Sequence, residues 1–513
     1  MFTLRPYQQE AIRAVHAEWD AGHKKTLLCI PTGGGKTIIF STVLADQVKS
    51  GGKGLILAHR EELITQAQDK LYKSTGILSS LEKGESHASG DAPVTVASVQ
   101  TLCRDSRLKA YGSDSFTDIV IDEAHHCLSD SYRKIIEHFS GARLLGVTAT
   151  PSRGDRKNLS EIFDSIAYSY DLRQAINDGY LCPIRAKMLP VQVPLDKVKL
   201  SCGDYSADEL GLALDPYLEE IAAQMAEECR DRKTVVFLPL VSTAKKFCSL
   251  LNTLGIKAAE VDGASEDREE VLKAFEAGEY QCICNSMLLT EGWDCPSVDC
   301  VVVLRPTKVR GLYQQMIGRG TRLYPGKKDL LVLDFLYLTE RYDLCTPASL
   351  FLCNEKTEAA MEEILRSGAE VDLQEAEAKA EKDVLTERES TLAEKLERMR
   401  TRKSKTVDPL QFALSIAAED LAGYEPTFGW ELEKATKKQL ELIENAGIDA
   451  SAITCKGMAS VVIDKLMKRR EAGLSTPKQI RCLERFGFEH VGEWTFEKAS
   501  RTIDQLARNG WRI

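Results

Sequence analysis

The sequence lacks the features that mark a secreted, membrane-spanning or zinc-stabilised protein. Its 15 cysteines are scattered and none belongs to a Cys-x-x-Cys pair, so we expect reduced, mostly buried thiols rather than disulfides or a zinc site. The first residues carry no apolar signal core, and no uninterrupted apolar run is long enough to cross a bilayer. These absences predict a cytoplasmic protein with no membrane partner.

A general excess of positive charge is also absent, because the formal net charge is −10 at pH 7. A chain of this charge that binds nucleic acid must do so through a local groove rather than through its whole surface. At 513 residues the chain is too long for one core, and roughly three domains are expected.

A glycine-rich turn at residues 31–37 separates an apolar run from a helix-like run. Its three consecutive glycines would let backbone N–H groups close around a phosphate. Lys36 would then reach the β- and γ-phosphates, and Thr37 would hold Mg²⁺. The general phosphate-loop pattern has a glycine where this chain has Ile30, so a glycine-rich turn without a ligand is the alternative.

Two adjacent carboxylates, Asp122 and Glu123, end an apolar run at 119–121. A buried parallel strand presents its carboxyl end to the crevice in which such sheets bind ligands, so these acids should lie beside the phosphate loop. Asp122 would hold Mg²⁺ through water, and Glu123 would orient or deprotonate the attacking water. An acidic strand end without a function is the alternative.

Apolar runs alternate with helix-like runs through two successive regions, which predicts an α/β fold with two tandem, doubly wound parallel sheets. The second region has no phosphate loop of its own but contains Arg319 and Arg322. A spacing of three puts both on one helix face, where two guanidiniums could meet a γ-phosphate across a cleft. A solvated helix face is the alternative. Gln8 could read an adenine edge through its amide, or be a solvated helix residue.

The tail combines a charged arm with an internal repeat. Residues 355–406 are rich in Glu, Lys, Ala and Arg, and Leu385, Leu392 and Met399 recur at an interval of seven, too briefly to prove a coiled coil. From Thr436 a pattern repeats after 40 residues, with a threonine cap, a helix and a glycine stop in each copy. It predicts two small helical hairpins. Residues 435–513 hold 14 Lys and Arg against 10 Asp and Glu, so this part could bind nucleic acid or a protein partner, or be purely structural.

The chain resembles a superfamily 2 helicase or translocase of the DEAH-box type over about residues 1–340. The resemblance rests on an ordered series: Arg5-Pro6-Tyr7-Gln8 as the adenine-side motif, 31–37 as motif I, 58–66 as Ia, 97–102 as Ib, Asp122 to His125 as II, Thr148 to Thr150 as III, 235–240 as IV, 289–294 as V and 315–322 as VI. Motif I of this family commonly tolerates a non-glycine residue at the position of Ile30.

The resemblance implies two RecA-like domains with ATP and Mg²⁺ between them, and it gives the motif residues their roles. Nucleotide contacts would come from Arg5, Gln8, Thr32, Gly33, Gly34, Gly35, Lys36, Thr37, Gly292 and Asp294. Arg319 and Arg322 would act as arginine fingers, and His125, Thr148, Thr150 and Gln315 would couple hydrolysis to movement. The nucleic-acid backbone would meet Arg60, Thr101, Ser242 and Thr290.

Within the superfamily the chain looks most like the RadD-type, restriction-motor and XPB-like groups of bacteria or phages. Those groups imply DNA as the partner, single-stranded or as a duplex with a tail. RadD-like proteins carry a cysteine-rich zinc element that this chain lacks. An RNA helicase and an ATP-switched nucleic-acid-binding scaffold are the alternatives. The predicted domains are residues 1–180 and 181–345 for the RecA-like pair, 346–430 for the arm and 431–513 for the repeat.

Overall fold

The computed structural model describes residues 3–511 except 60, 89–91, 150–158, 190, 192, 194, 196–197, 202–203, 230, 264, 266, 287–288, 290–292, 336–343, 352–354, 385, 387–406, 408, 417, 419–420, 422–423, 425–430 and 432. Five predictions therefore fall outside the described residues: the roles of Arg60, Thr150, Thr290 and Gly292, and the recurrence of Leu385, Leu392 and Met399. The chain divides into two compact units, Met1–Ala380 and Glu381–Ile513. The boundaries predicted at 180, 345 and 430 stay predictions.

The first lobe of unit 1 is built on a seven-stranded sheet in the order β3-β4-β2-β5-β6-β1-β7. All of its strand pairs are parallel. The strands are β1 Lys25–Cys29, β2 Gly54–Ala58, β3 Ser79–Glu82, β4 Val94–Ser98, β5 Asp118–Asp122, β6 Arg143–Thr148 and β7 Ser165–Ser169. Most central strand residues are buried, as expected for a parallel sheet covered on both faces.

Helices cover both faces of this sheet because alternate strand residues point to opposite sides. Ile56 and Val120 share one core with Phe40, whereas Leu55 and Ile119 share the other with Tyr132. The helices of this lobe are Pro6–Asp20, Lys36–Lys49, Glu61–Thr75, Val99–Leu102, Asp105–Leu108, Asp130–His138 and Leu172–Asn177, with a 3₁₀ turn at Ala124–His126.

The second lobe repeats the plan with the strand order β12-β13-β11-β14-β15-β8-β16. Only β16 at the edge pairs antiparallel among these strands. The strands are β8 Ile184–Met188, β11 Thr234–Phe237, β12 Ala258–Val261, β13 Cys282–Asn285, β14 Cys300–Val303, β15 Leu330–Asp334 and β16 Val371–Asp372, and β9 Leu200–Ser201 pairs with β10 Asp204–Tyr205. The helices are Ala207–Leu214, Leu218–Glu228, Val241–Thr253, Arg268–Ala277, Arg310–Gly318 and Glu355–Leu365, with 3₁₀ turns at Asp215–Tyr217 and Pro347–Leu350 and a further helix over 373–384. The predicted fold, two tandem doubly wound sheets, is confirmed.

The main secondary structure that is described in unit 2 consists of helices, also as predicted. Its helices are Pro409–Ser415, Lys437–Asn445, Lys456–Glu471, Pro477–Arg485 and Phe496–Arg508. The 40-residue repeat recurs in its contacts: Gln439 Nε2 donates to Ser460 Oγ at 3.1 Å, and Gln479 Nε2 donates to Ser500 Oγ at 2.8 Å. Throughout the described part of the chain, no helix combines the length and the apolar character needed to cross a membrane.

Candidate nucleotide site

The phosphate loop lies between β1 and the helix Lys36–Lys49, as predicted. Gly33 and Gly35 have φ angles of +85° and +80°, a left-handed conformation that favours glycine. At Gly35 a Cβ would also lie 2.6 Å from Gln8 Nε2. A larger residue there would therefore be strained and would displace Gln8. The loop leads directly into a 14-residue helix, whose N-terminal amides favour an anion.

Gln8 and its neighbours hold the outer side of the loop. Tyr7 Oη donates to the Gly34 carbonyl at 2.6 Å, and Gln8 Nε2 lies 3.4 Å from the same oxygen. The Arg5 guanidinium lies over the Tyr180 ring, 4.9 Å from its centroid. Arg5 and Gln8 therefore lie together beside the loop, where an adenine base would follow the phosphates.

Tyr7 belongs to the adenine-side motif, but its two aromatic neighbours in this corner were not predicted from the sequence. Tyr7 stacks on Tyr170 with centroids 4.3 Å apart, and Tyr180 lies 5.0 Å from Tyr7. These tyrosines line a cleft of about 430 Å³ together with Glu10 and Asp178. The signal in the sequence was the cluster of tyrosines at 168, 170 and 180, which follows the last motif of the first lobe.

The basic and acidic residues that were predicted as site residues in the first lobe form one buried group. Lys36 Nζ lies 3.0 Å from Glu123 Oε1, and the Glu123 N–H donates to Asp122 Oδ1 at 3.0 Å. Burial raises the pKa of Asp122, and the charge of Glu123 raises it further. Burial alone would also raise the pKa of Glu123, but the nearby cations, first Lys36 and then His125, bring it below its usual range. Glu123 is therefore ionised at neutral pH.

His125 stands between this acidic pair and the end of β6. Its Nδ1 lies 3.6 Å from Glu123 Oε2 and 3.4 Å from Thr148 Oγ1. The 3₁₀ turn that carries it begins after Glu123, which has a φ of +53°. His125 and Thr148 were both predicted to couple hydrolysis to movement, and the structure places His125 between the Glu123 carboxylate and the Thr148 hydroxyl. Gln315, predicted for the same role, is buried on the helix Arg310–Gly318 of the second lobe.

The arginines of the second lobe follow that helix directly. Arg319 Nη1 donates to the Trp293 carbonyl at 2.5 Å, and Arg322 pairs with Asp294. Burial lowers the pKa of Arg322 to about 10, so its guanidinium remains charged at neutral pH. The charge of Arg319 contributes, after those of Lys36 and His125, to lowering the pKa of Glu123.

Direct contact between the lobes occurs at the phosphate loop itself. A Cβ on Gly318 would lie 2.5 Å from Thr32 Cβ, and a Cβ on Gly33 would lie 3.4 Å from Arg322 Cγ. Residues from motif I and motif VI therefore touch without an intervening side chain. The two halves of the predicted site face each other in this structure.

The residues predicted to contact nucleic acid differ in their exposure. Thr101 is buried, and its hydroxyl accepts a hydrogen bond from the Gly84 N–H at 3.0 Å. Ser242 is exposed in the first turn of the helix Val241–Thr253. Of these two, Ser242 has the hydroxyl that a phosphate could reach without displacing an internal partner.

The paired sheets define the class of tandem RecA-like proteins, and comparisons with known families narrow it. Residues 1–153 match the family model for the type III restriction enzyme res subunit, and residues 217–324 match the helicase conserved C-terminal domain. The chain belongs to superfamily 2 of the helicases and translocases, as its motifs predicted.

Individual relatives agree with this assignment. Over 355 residues the chain is 34% identical to Irc3 of Saccharomyces cerevisiae, which bears the name of an ATP-dependent helicase; the match covers 65% of this chain and 51% of Irc3. It is 25% identical to the DNA 3′-5′ translocase XPB2 of Sulfurisphaera tokodaii, over 64% of this chain and 79% of XPB2. The chain spans about half the length of the first of these relatives.

A solved structure with a related fold is a fragment assigned to the HsdR subunit of a type I restriction enzyme from Vibrio vulnificus YJ016. It superposes with a TM-score of 0.54 at 25% identity, covering 65% of this chain and 64% of the fragment. Related sequences occur in yeasts as well as in bacteria, archaea and phages. The comparisons therefore do not support the prediction that the protein comes from the cytoplasm of a bacterium or from a phage.

Proposed function

We propose that the protein is a DEAH-box ATPase that uses ATP and Mg²⁺ to move along or unwind DNA. The observation that carries the proposal is the composition of one cleft. Lys36 and Glu123 of the first lobe form a buried ion pair, and the segment of the second lobe that carries the two arginines contacts the phosphate loop, where a Cβ on Gly33 would lie 3.4 Å from Arg322 Cγ. A phosphate-binding cation, a base and an arginine finger are the groups that phosphoryl transfer requires.

The chemistry of the donor set fits a magnesium-bound triphosphate. The helix N-terminus and Lys36 supply positive charge for phosphate oxygens. Thr37 is the last residue of the phosphate loop, and Asp122 is the last residue of β5. Both supply the oxygen ligands that Mg²⁺ prefers. The ion, when bound, would neutralise charge on the β- and γ-phosphates.

The remaining steps of hydrolysis are carried out by side chains of the protein. Lys36 would exchange its contact with Glu123 for a phosphate oxygen, which releases the carboxylate to orient or deprotonate the attacking water. Arg319 and Arg322 would leave Trp293 and Asp294 to stabilise charge on the transferred group. Because these contacts belong to different lobes, each turnover would change how the lobes meet, and that motion would drive a step along the strand.

The choice of DNA is supported by the relatives. XPB2 is named a DNA translocase, and the res and HsdR subunits belong to restriction enzymes. Backbone contacts such as the one proposed for Ser242 would suit an enzyme that steps along any sequence.

The test measures phosphate release with single-stranded DNA, duplex DNA and RNA in parallel, and scores strand displacement on 3′- and 5′-tailed duplexes. We expect DNA to stimulate hydrolysis and Lys36→Ala to abolish it, while Lys49→Ala, on the exposed end of the same helix, has no effect. Stronger stimulation by RNA would favour an RNA helicase. Bound but unhydrolysed ATP would favour an ATP-switched scaffold.

The basic repeat of unit 2 is the second proposed contact with DNA. Its 14 basic residues against 10 acidic ones contrast with the acidic remainder of the chain. Deletion of residues 430–513 should weaken DNA binding and flatten the dependence of affinity on salt concentration, because fewer counterions would be released. Unchanged DNA affinity across the salt series would show that the repeat does not bind DNA, and would favour binding of a protein partner or a structural role.

A further inference from the structure

Four neighbouring strands of the first lobe end in a row of polar side chains. The strands β4, β2, β5 and β6 lie side by side in the sheet, and they are followed or ended by Gln100, His59, His125 with His126, and Thr148. Parallel strands bring their carboxyl ends to one edge of the sheet. Residues far apart in the sequence are therefore lateral neighbours along this edge.

These residues form a continuous line of contacts. Gln100 Nε2 donates to the His59 carbonyl at 2.8 Å. The His59 ring lies 4.3 Å from the His126 ring, and the His126 ring lies 4.1 Å from the His125 ring, measured between centroids. At the end of the line, His125 Nδ1 lies 3.6 Å from Glu123 Oε2. Three imidazoles thus connect the segments after β4 and β2 to the acid after β5.

The two ends of this line have different proposed roles. The segments after β2 and β4 carry Arg60 and Thr101, for which the resemblance implies contact with the nucleic-acid backbone. Glu123 is the proposed base. His59 and His126 belong to neither group and were assigned no role from the sequence, yet their half-buried rings bridge the gap between them.

We propose that His59 and His126 are positioning residues that transmit nucleic-acid binding to Glu123 through ring contact. This inference rests on the proposed function. A shift of the segment after β2 on nucleic-acid binding would press the His59 ring against His126 and move His125 relative to the carboxylate. Packed side chains carry such sub-ångström shifts between sites. The predicted result is that Glu123 reaches its working position only when nucleic acid is bound.

The test compares nucleic-acid-stimulated and unstimulated phosphate release in His126→Ala and His59→Ala. We expect each variant to lose at least fivefold of its stimulation, the lower end of usual coupling between sites, with nucleic-acid affinity within about twofold of the unmodified protein. His23→Ala, which removes an exposed histidine paired with Glu18, is the matched control. His126→Phe keeps a ring between its two neighbours and should keep most of the stimulation.

A double-mutant cycle separates a shared line from two independent effects. If His59 and His126 act in one line, the double variant should lose no more stimulation than either single variant. Full stimulation in His126→Ala, or loss in His126→Phe equal to that in His126→Ala, would overturn the inference. Absence of stimulation in the unmodified protein would instead contradict the proposed function, and thermal unfolding of each variant identifies any loss that comes from misfolding.

Discussion

The two lobes of unit 1 share one architecture and differ in the chemistry at their strand ends. In the first lobe, β1 runs into the glycine loop and β5 ends in Asp122 and Glu123. In the second lobe, β11 runs into Leu238-Pro239-Leu240, and β14 continues into the buried Leu304. The matching ends of the same doubly wound sheet therefore carry a glycine loop and two acids in the first lobe but apolar residues at β11 and β14 in the second, so the difference lies in the loops rather than in the sheet.

The difference in charge between the lobes is complementary. The first lobe gathers two carboxylates and a lysine, and the second lobe presents Arg319 and Arg322 after a helix that touches the phosphate loop. Neither set alone contains a base and a finger. The proposed site is therefore composite, and each variant below changes one part of it.

The largest predicted loss in the first lobe comes from Glu123→Gln. The substitution keeps the shape of the side chain but removes the carboxylate that would act on water, so we expect hydrolysis to fall about 10³-fold. ATP binding should survive because the loop and Lys36 are intact. Phosphate release and equilibrium ATP binding check this, with Glu137→Gln on an exposed helix surface as the control. Retained hydrolysis would show that another group serves as base.

The contact between the lobes can be broken with one methyl group. In Gly318→Ala the new Cβ would lie 2.5 Å from Thr32 Cβ, so the lobes could not meet as they do now, and misplacement by about 1 Å can cost about 10²-fold in rate. Gly311→Ala, on the same helix, meets no atom within 4 Å and should be neutral. Phosphate release measures both rates. Equal rates of release in Gly318→Ala and Gly311→Ala would show that the contact between Gly318 and Thr32 is not important for hydrolysis.

The smallest predicted effect is a gain in folding stability in Asp122→Asn, in contrast to the losses of activity predicted above. Asp122→Asn removes a buried charge next to Glu123, so we expect the ligand-free protein to gain about 1–3 kcal/mol at pH 7.5 while losing activity. The gain should shrink as the pH falls through the raised pKa of Asp122 and vanish below the ordinary value of about 3.9. Chemical denaturation at several pH values without Mg²⁺ measures it. A loss of stability at pH 7.5 would show that Asp122 is better paired than its burial indicates.

Much of this arrangement could be predicted from the sequence because it depends on local patterns. Glycines before Lys36 and acids at the end of an apolar run are fixed by neighbours in the chain, and strand alternation gave the two sheets. The contacts of Arg5 with Tyr180, of Thr32 with Gly318 and of His59 with His126 join distant segments. No local sequence pattern specifies which residue each of these contacts, so the individual contacts are found only in the folded chain.

The composite site is tested most directly by Arg319→Ala. The variant keeps the whole first lobe, so ATP should bind within about threefold of the unmodified affinity, whereas nucleic-acid-stimulated hydrolysis should fall by about 10³-fold or more, as in related phosphate-loop enzymes without their finger. Arg366→Ala, which removes an exposed arginine of the second lobe, should leave both quantities unchanged. Undiminished hydrolysis in Arg319→Ala would contradict a site shared between the lobes.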